Sequence, residues 1–459
     1  MSRPSESHAA RIHRPRVGAA PAPYAFVGPA QREWLTPAGH ALLQAAVADG
    51  RGLQPSLADE VARALRGWAG SRGATRVAFR VQTLAGGTAD YTMDLKWLTG
   101  EDLVGGARTA APGRLTWDPV APAHIRVDAG GAVLCLPSVL ASDLGEALDD
   151  RLPLLRSVDA LSATTVRALQ ILGEEPTRRV LATVALTRTV VLFDAEPFAL
   201  RTLEDRTRAC LNATERELAR IDVRARLRYN GDQHELTVLP ASASVASDSL
   251  GLALEALRDT ARRYGLGCRE AGQTRPDVWS LITAEGTNLL APGVTAYANL
   301  RFLFFAAAVI RAFASRDLRR LDLGHELTAI LTAIARGELF AGSDAELVAG
   351  AEPLPRVPGR DTSAGFTGAG FALGRLDAVT MTVVNTLVAD AITEQTRMLR
   401  SWLEVGEDLE PAVREVVADA FRRHQMTMGA HSLLDVLTGD DRLFAEQGVM
   451  SARELAARR

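Results

Sequence analysis

The segment Arg178–Asp194, RRVLATVALTRTVVLFD, constrains the fold more than any other part of the chain. It is apolar, rich in β-branched Val and Thr, and free of Gly and Pro, the pattern of buried strand rather than helix. Its length exceeds that of an ordinary strand, so it reads as two adjoining strands. Strands this apolar need partners on both edges and cover on both faces. A hairpin is expected nearby, over Arg224–Leu239 around the turn Asn230–Gly231. Further strands are expected at 75–83, where Val77, Phe79 and Val81 alternate with polar residues as in a half-buried strand, and at Val133–Leu140. Residues 84–113 read as glycine-rich and irregular, and 341–375 as a Gly- and Pro-rich loop region.

Helical spacing appears over Ser56–Gly70, with Ser56 and Asp59 fitting a capping box. It recurs over Leu152–Leu172, Arg206–Ile221, Ser249–Tyr264, Ala298–Ala314, Leu376–Leu403 and Pro411–His424. Strands and helices mix without a βαβ rhythm, which predicts an α+β fold over a doubly wound sheet.

Composition narrows the function. The 459 residues carry a net charge of −3, without the basic excess of a nucleic-acid binder. Lys96 is the one lysine, so a Walker, Schiff-base or general-base lysine would have to be that residue. Cys135, Cys210 and Cys268 are too scattered for a disulfide scaffold or zinc site. Residues 1–23 read as a disordered tail rather than a signal peptide. Phe302–Ile310 is too short to span a bilayer, and a cytoplasmic protein is expected. Local motifs add little. His325-Glu326 lacks the second histidine of HExxH, and no GxSxG is present. Gly368, Gly370 and Gly374 lack the strand and acidic partner of a dinucleotide loop.

Longer segments carry a family resemblance. Ala62–Gly87, Thr116–Ile125 (TWDPVAPAHI), Gly145–Ser157 (GEALDDRLPLLRS), Trp279–Gly293 (WSLITAEGTNLLAPG), Val383–Ile392 and Leu443–Arg458 resemble, in order, segments of the type III glutamine synthetases. The resemblance implies a β-grasp-like N-terminal region, a catalytic-type domain on a curved antiparallel sheet, and a helical C-terminal extension. The implied divisions are 1–23 for the tail, 24–175 for the N-terminal region, 176–392 for the catalytic-like domain and 393–459 for the helical end. It also implies ring-shaped oligomers with sites between subunits, and ATP-dependent ligation of glutamate and ammonia with two or more divalent cations.

The family's metal positions hold other residues here. The segment similar to "VGLEQEYFLVD" is Val184–Asp194, with Thr187 and Thr189 in place of two glutamates and Arg188 between them. "RHNEVAPAQFEL" becomes Arg228–Leu239. Gly231 takes one glutamate position, and Thr237 (or Glu235, with the gap moved) the other. Pro276 stands for the metal histidine, and Ala372 for a further glutamate. The substrate loop "AGNDHRLGANEAPPA" has no counterpart between Phe313 and Glu326. Glu235, Gly272, Arg275, Ser280 and Arg360 remain as a residual ligand pocket, with Asp277 and Glu270 lining the same region. Trp279, Leu281, Leu289 and Leu290 read as core, Asn288 and Gly293 as turn formers, and Glu204–Asp205 as a solvated helix start.

Hard dications need carboxylate oxygens, and losing one charge-stabilising group costs roughly a hundredfold or more in rate. The resulting expectation is a shortened, catalytically inactive relative with a structural or regulatory role in nitrogen or secondary metabolism. It would need no cofactor, and would act as a homo-oligomer or in co-assembly with an active synthetase. Two alternatives stand beside it. One is an acid–amine ligase using ATP and magnesium at a site remodelled from Glu235, Asp277, Glu204 and Asp205. The other is a small-molecule sensor using the vacated pocket.

Overall fold

A computed structural model describes residues 22–107, 109–128, 130–195, 202–273, 275–293, 295–340 and 364–458. Residues 1–21 of the expected tail and most of the 341–375 loop region, Arg360 included, lie outside the described residues.

Three helices, α1 (Gly28–Trp34), α2 (Pro37–Asp49) and α3 (Pro55–Gly70), precede the first strand. The expected capping box is not formed. Pro55 starts α3 with its fixed φ, no side chain caps it, and Asp59 instead accepts from the Gly100 N–H at 3.2 Å. Leu57, Val61, Leu65 and Trp68 are buried as their spacing predicts.

The first sheet runs β2 (Thr88–Asp94), β1 (Ala74–Gln82), β5 (Gly131–Ala141), β3 (Arg114–Trp117), with β4 (His124–Asp128) also on β5. β1 and β5 are parallel, and the other pairs are antiparallel. The 84–113 segment is therefore not irregular throughout: it contains β2 and the short helix α4 (Gly100–Leu103). β1 is also not half-buried. Val77, Phe79 and Val81 face one core, while Ala78 and Arg80 on the other face are covered too.

Helix α5 (Arg151–Ile171) leads into the second sheet. Here the long apolar segment forms one strand, β6 (Val180–Asp194), rather than two. On one edge it pairs with β8 (His234–Ser242), which is extended by β7 (Ala225–Arg228). On the other edge, β10 (Val278–Thr283) pairs with residues 180–185 and β9 (Leu266–Glu270) with 190–194. Two partners share one edge in succession, so nothing forces β6 to turn. The sheet ends in the two-residue strands β12 (Phe371–Ala372) and β11 (Gly365–Phe366).

Even-numbered residues of β6 from Val180 to Leu186, with Val190 and Leu192, enter the main core against α5 and α7 (Ala243–Arg263). Helix α7 starts six residues before the expected Ser249. Helix α6 (Leu203–Arg220) packs on α7. The core also includes α8 (Leu300–Ala314), α9 (Gly324–Arg336) and the long helix Ala378–Glu404, which passes residue 392 unbroken. One core comprises residues between Phe26 and Leu140, the other between Leu154 and Leu455.

The halves are joined by ions. Arg80 pairs with Glu255 of α7 at 2.7 Å and Arg126 with the same carboxylate at 3.3 Å. Arg151, fully buried at the start of α5, bonds Asp118 at 2.6 Å and also Asp248 of α7.

Candidate functional site

Residues alternate across a strand, so β6 presents Thr183, Ala185, Thr187 and Thr189 on the face opposite its core residues. Register places Thr237 opposite Thr187 and Glu235 opposite Thr189 on β8. Ser280 lies opposite Thr183 on β10, and Ala372 opposite Val278, which itself pairs with Ala185. Six of the residues singled out by sequence, Thr187, Thr189, Glu235, Thr237, Ser280 and Ala372, thus share one face of the second sheet.

The remaining positions are peripheral. Gly231 sits at φ +57° in the β7–β8 turn. Gly272 and Pro276 lie in the connection between β9 and β10. Arg360 lies outside the described residues.

Chemistry on this face is sparse. The Thr187 and Thr237 hydroxyls are 3.5 Å apart, and Thr237 donates to Glu235 at 3.2 Å. Arg275 approaches the same carboxylate at 3.4 Å. Ser280 is not presented to a ligand: its hydroxyl is tied to Ala369 O at 2.7 Å and to Asn288 Oδ1 at 3.0 Å. Asn288 also accepts from the Leu290 N–H and donates to Ala369 O, as a turn former would.

Two expectations require correction. Arg188 does not face the Thr187–Thr189 side, because it belongs to the even-numbered set. There it meets Asp277, which therefore does not line the pocket. The Arg188–Asp277 pair is 2.8 Å apart and almost wholly solvent-free, with the two side chains 2% and 0% exposed. Asp277 also accepts from the N–H groups of Thr187 (2.6 Å) and Leu376 (2.7 Å). Burial pushes the Asp277 carboxyl up, against the opposing pull of Arg188 and both N–H groups. The carboxylate fills the gap on the β6 edge where β10 has ended and β9 has not begun. Glu270 is likewise engaged, by Arg258 at 2.9 Å and Arg375 at 3.0 Å.

The core and turn readings agree with the structure. Trp279, Leu281, Leu289 and Leu290 are buried, and the Trp279 indole donates to Asn385 at 3.0 Å. Glu204 is exposed at the start of α6 and pairs with Arg208. Sequence reasoning missed the Arg188–Asp277 pair. Its partners are 89 positions apart, and no local pattern marks them.

Two divalent cations and a triphosphate need several converging oxygen anions. The donors here are threonine hydroxyls and one carboxylate already opposed by a guanidinium. Among the described residues, no three His, Cys, Asp or Glu side chains are grouped to hold a metal. The residues present do not fit the family's metal pair.

Comparison with known proteins places this arrangement. Residues 104–157 match the family model for the N-terminal part of type III glutamine synthetase. A type-3 glutamine synthetase of Dictyostelium discoideum is 26% identical over 493 aligned positions, covering 86% of this chain and 67% of that protein. The chain is similar to the type III glutamine synthetases. A glutamine synthetase of Bacteroides fragilis (strain YCH46) is 24% identical, covering 68% of this chain and 51% of that protein. The chain thus spans between about half and two thirds of the length of those two relatives. Among solved structures, the Plasmodium falciparum glutamine synthetase superposes with a TM-score of 0.52 at 9% identity, covering 89% of this chain and 95% of that one. That likeness concerns the fold: a glutamine synthetase-like α+β architecture.

Proposed function

We propose that this chain is a catalytically silent type III glutamine synthetase-like protein whose role is structural or regulatory, acting as an oligomer or in co-assembly with an active synthetase. One observation carries the reading. On the sheet face where the family's metal carboxylates belong, Thr187, Thr189 and Ala372 stand in three positions, and Arg275 opposes the one carboxylate, Glu235. A hydroxyl does not neutralise a dication, and a guanidinium beside it repels one. Beneath that face Arg188 and Asp277 nonetheless form a buried ion pair, and the apolar core is closed. Scaffold and chemistry have been treated differently.

The competing ligase reading would draw on Glu235, Asp277, Glu204 and Asp205. Asp277 is committed to Arg188 on the opposite face, which weakens it.

Two measurements test the proposal. Glutamate-dependent phosphate release from ATP, with magnesium or manganese, should stay at the buffer rate. Metal-dependent turnover would overturn the silent reading. Native mass spectrometry of the chain mixed with an authentic type III synthetase should show mixed oligomers. Separate homo-oligomers with unchanged synthetase activity would remove the co-assembly role.

A further inference from the structure

Away from this face, a cavity of about 270 Å³ opens between α5 and the helix Ala378–Glu404, lined by Thr164, Arg167, Thr393, Thr396, Arg397 and Arg400. The spacing is that of helix faces: 164 and 167 on one helix, 393, 396, 397 and 400 on the other. The two helices are clasped further along by Asn385 donating to Ser157 at 3.1 Å.

The lining is unusual in its unused donors. Many arginines of this protein are spent on carboxylates, but Arg167, Arg397 and Arg400 join no ion pair among the described residues. Among the described residues, three guanidinium groups therefore share one cavity with no carboxylate paired to them. Along the same long helix, Thr382, Thr386 and Thr393 donate their hydroxyls to the carbonyl one turn back, at 2.7, 2.7 and 2.9 Å. Thr396 does not: its hydroxyl is shielded from solvent and has no partner. A buried hydroxyl without a partner is costly, and it lies in the cavity wall beside the three cations.

We infer that this cavity is a binding site for a small polyanion of the phosphate type, such as the diphosphate end of a metabolite. Guanidinium forks match phosphate oxygens bidentately, and the Thr396 hydroxyl supplies a further donor. The three positive charges balance a diphosphate's charge of about −3 at neutral pH. The Thr164 and Thr393 hydroxyls are already donating to backbone carbonyls, so the available hydrogens come from the three arginines and Thr396. None of its lining residues belongs to the Thr187–Glu235 face, and the inference does not depend on the proposed loss of catalysis.

Calorimetric titration of the full chain with inorganic pyrophosphate, in about 0.15 M sodium chloride to screen diffuse attraction, tests this. Saturable binding and a raised melting temperature are expected. Arg397→Gln and Arg400→Gln should each weaken binding about tenfold or more, and Thr396→Val several-fold. The three arginines are exposed, so the ligand-free melting temperature of the arginine variants should not move. Three results would overturn the inference: no heat beyond a salt-matched control, unchanged affinity in the Arg167→Gln/Arg397→Gln/Arg400→Gln protein, or binding of citrate without pyrophosphate.

Discussion

At the scale of single residues, the Arg188–Asp277 pair matters most to stability. Removing one partner of a buried ion pair leaves the other charged and unsolvated, which costs about 3–5 kcal/mol. Arg188→Leu and Asp277→Leu should each fall in that range. The double variant should cost less than their sum, since no lone charge remains. Urea denaturation of the four proteins checks this; strict additivity would show that the two side chains do not act as a pair. Asp277 also closes two backbone N–H groups, so its replacement should be the costlier of the two. Both residue types were visible in the sequence. By resemblance alone Arg188 stands between two metal positions and Asp277 lines the pocket region; strand parity settles which side each one faces, and parity is lost when a strand is taken as two.

At the scale of elements, the last short helix acts as a latch. Ser451 and Glu454 form a capping box at the start of Ala452–Ala456. The same Glu454 carboxylate accepts from the Ala147 N–H and from Arg156 at 2.9 Å, over 290 positions away in sequence. Arg458 reaches Asp150 at 3.2 Å. Glu454→Ala removes the cap and leaves Arg156 and the Ala147 N–H short of an acceptor. We expect a loss of about 2 kcal/mol. Hydrogen exchange should quicken at Ala147 and across 451–458 while the core of β6 stays protected. Uniform protection in the variant would rule the latch out. The sequence pattern Ser-x-x-Glu marks the cap itself, but nothing in it marks the distant acceptor role.

At the scale of the whole molecule, the two cores meet through charge. His124 and Arg126 alternate to one face of β4, where Arg80, Arg126, Asp90, Glu255 and Cys135 gather. Burial first, and then the Arg80 charge, hold His124 down to about 3, against a weaker pull from the Pro122 carbonyl; Arg126 adds to the lowering. A histidine whose folded value lies below its unfolded one contributes stability fully above the unfolded value, near 6.5, and loses it as pH falls. Between pH 7 and pH 5 the wild-type protein should therefore lose about 2 kcal/mol that His124→Gln does not lose. Urea unfolding at both pH values reads the difference; parallel losses would place the titration elsewhere.

Much of the architecture was legible without coordinates. Apolar periodicity located α5, α8 and the long C-terminal helices, because each buries a continuous face whose spacing is local. Asn230–Gly231 marked the β7–β8 turn for the same reason. β2 escaped, since its exposed, mixed residues have no periodicity that differs from a loop, and only its pairing with β1 makes it a strand. The amino-acid sequence alone carried the resemblance to the type III glutamine synthetases and the identities of Thr187, Thr189 and Ala372, because those are matters of residue identity. Tertiary structure decided which residues share a face, that Asp277 belongs to Arg188, and that three uncompensated arginines surround one cavity. Those are distances between groups far apart along the chain, and composition and spacing do not encode them.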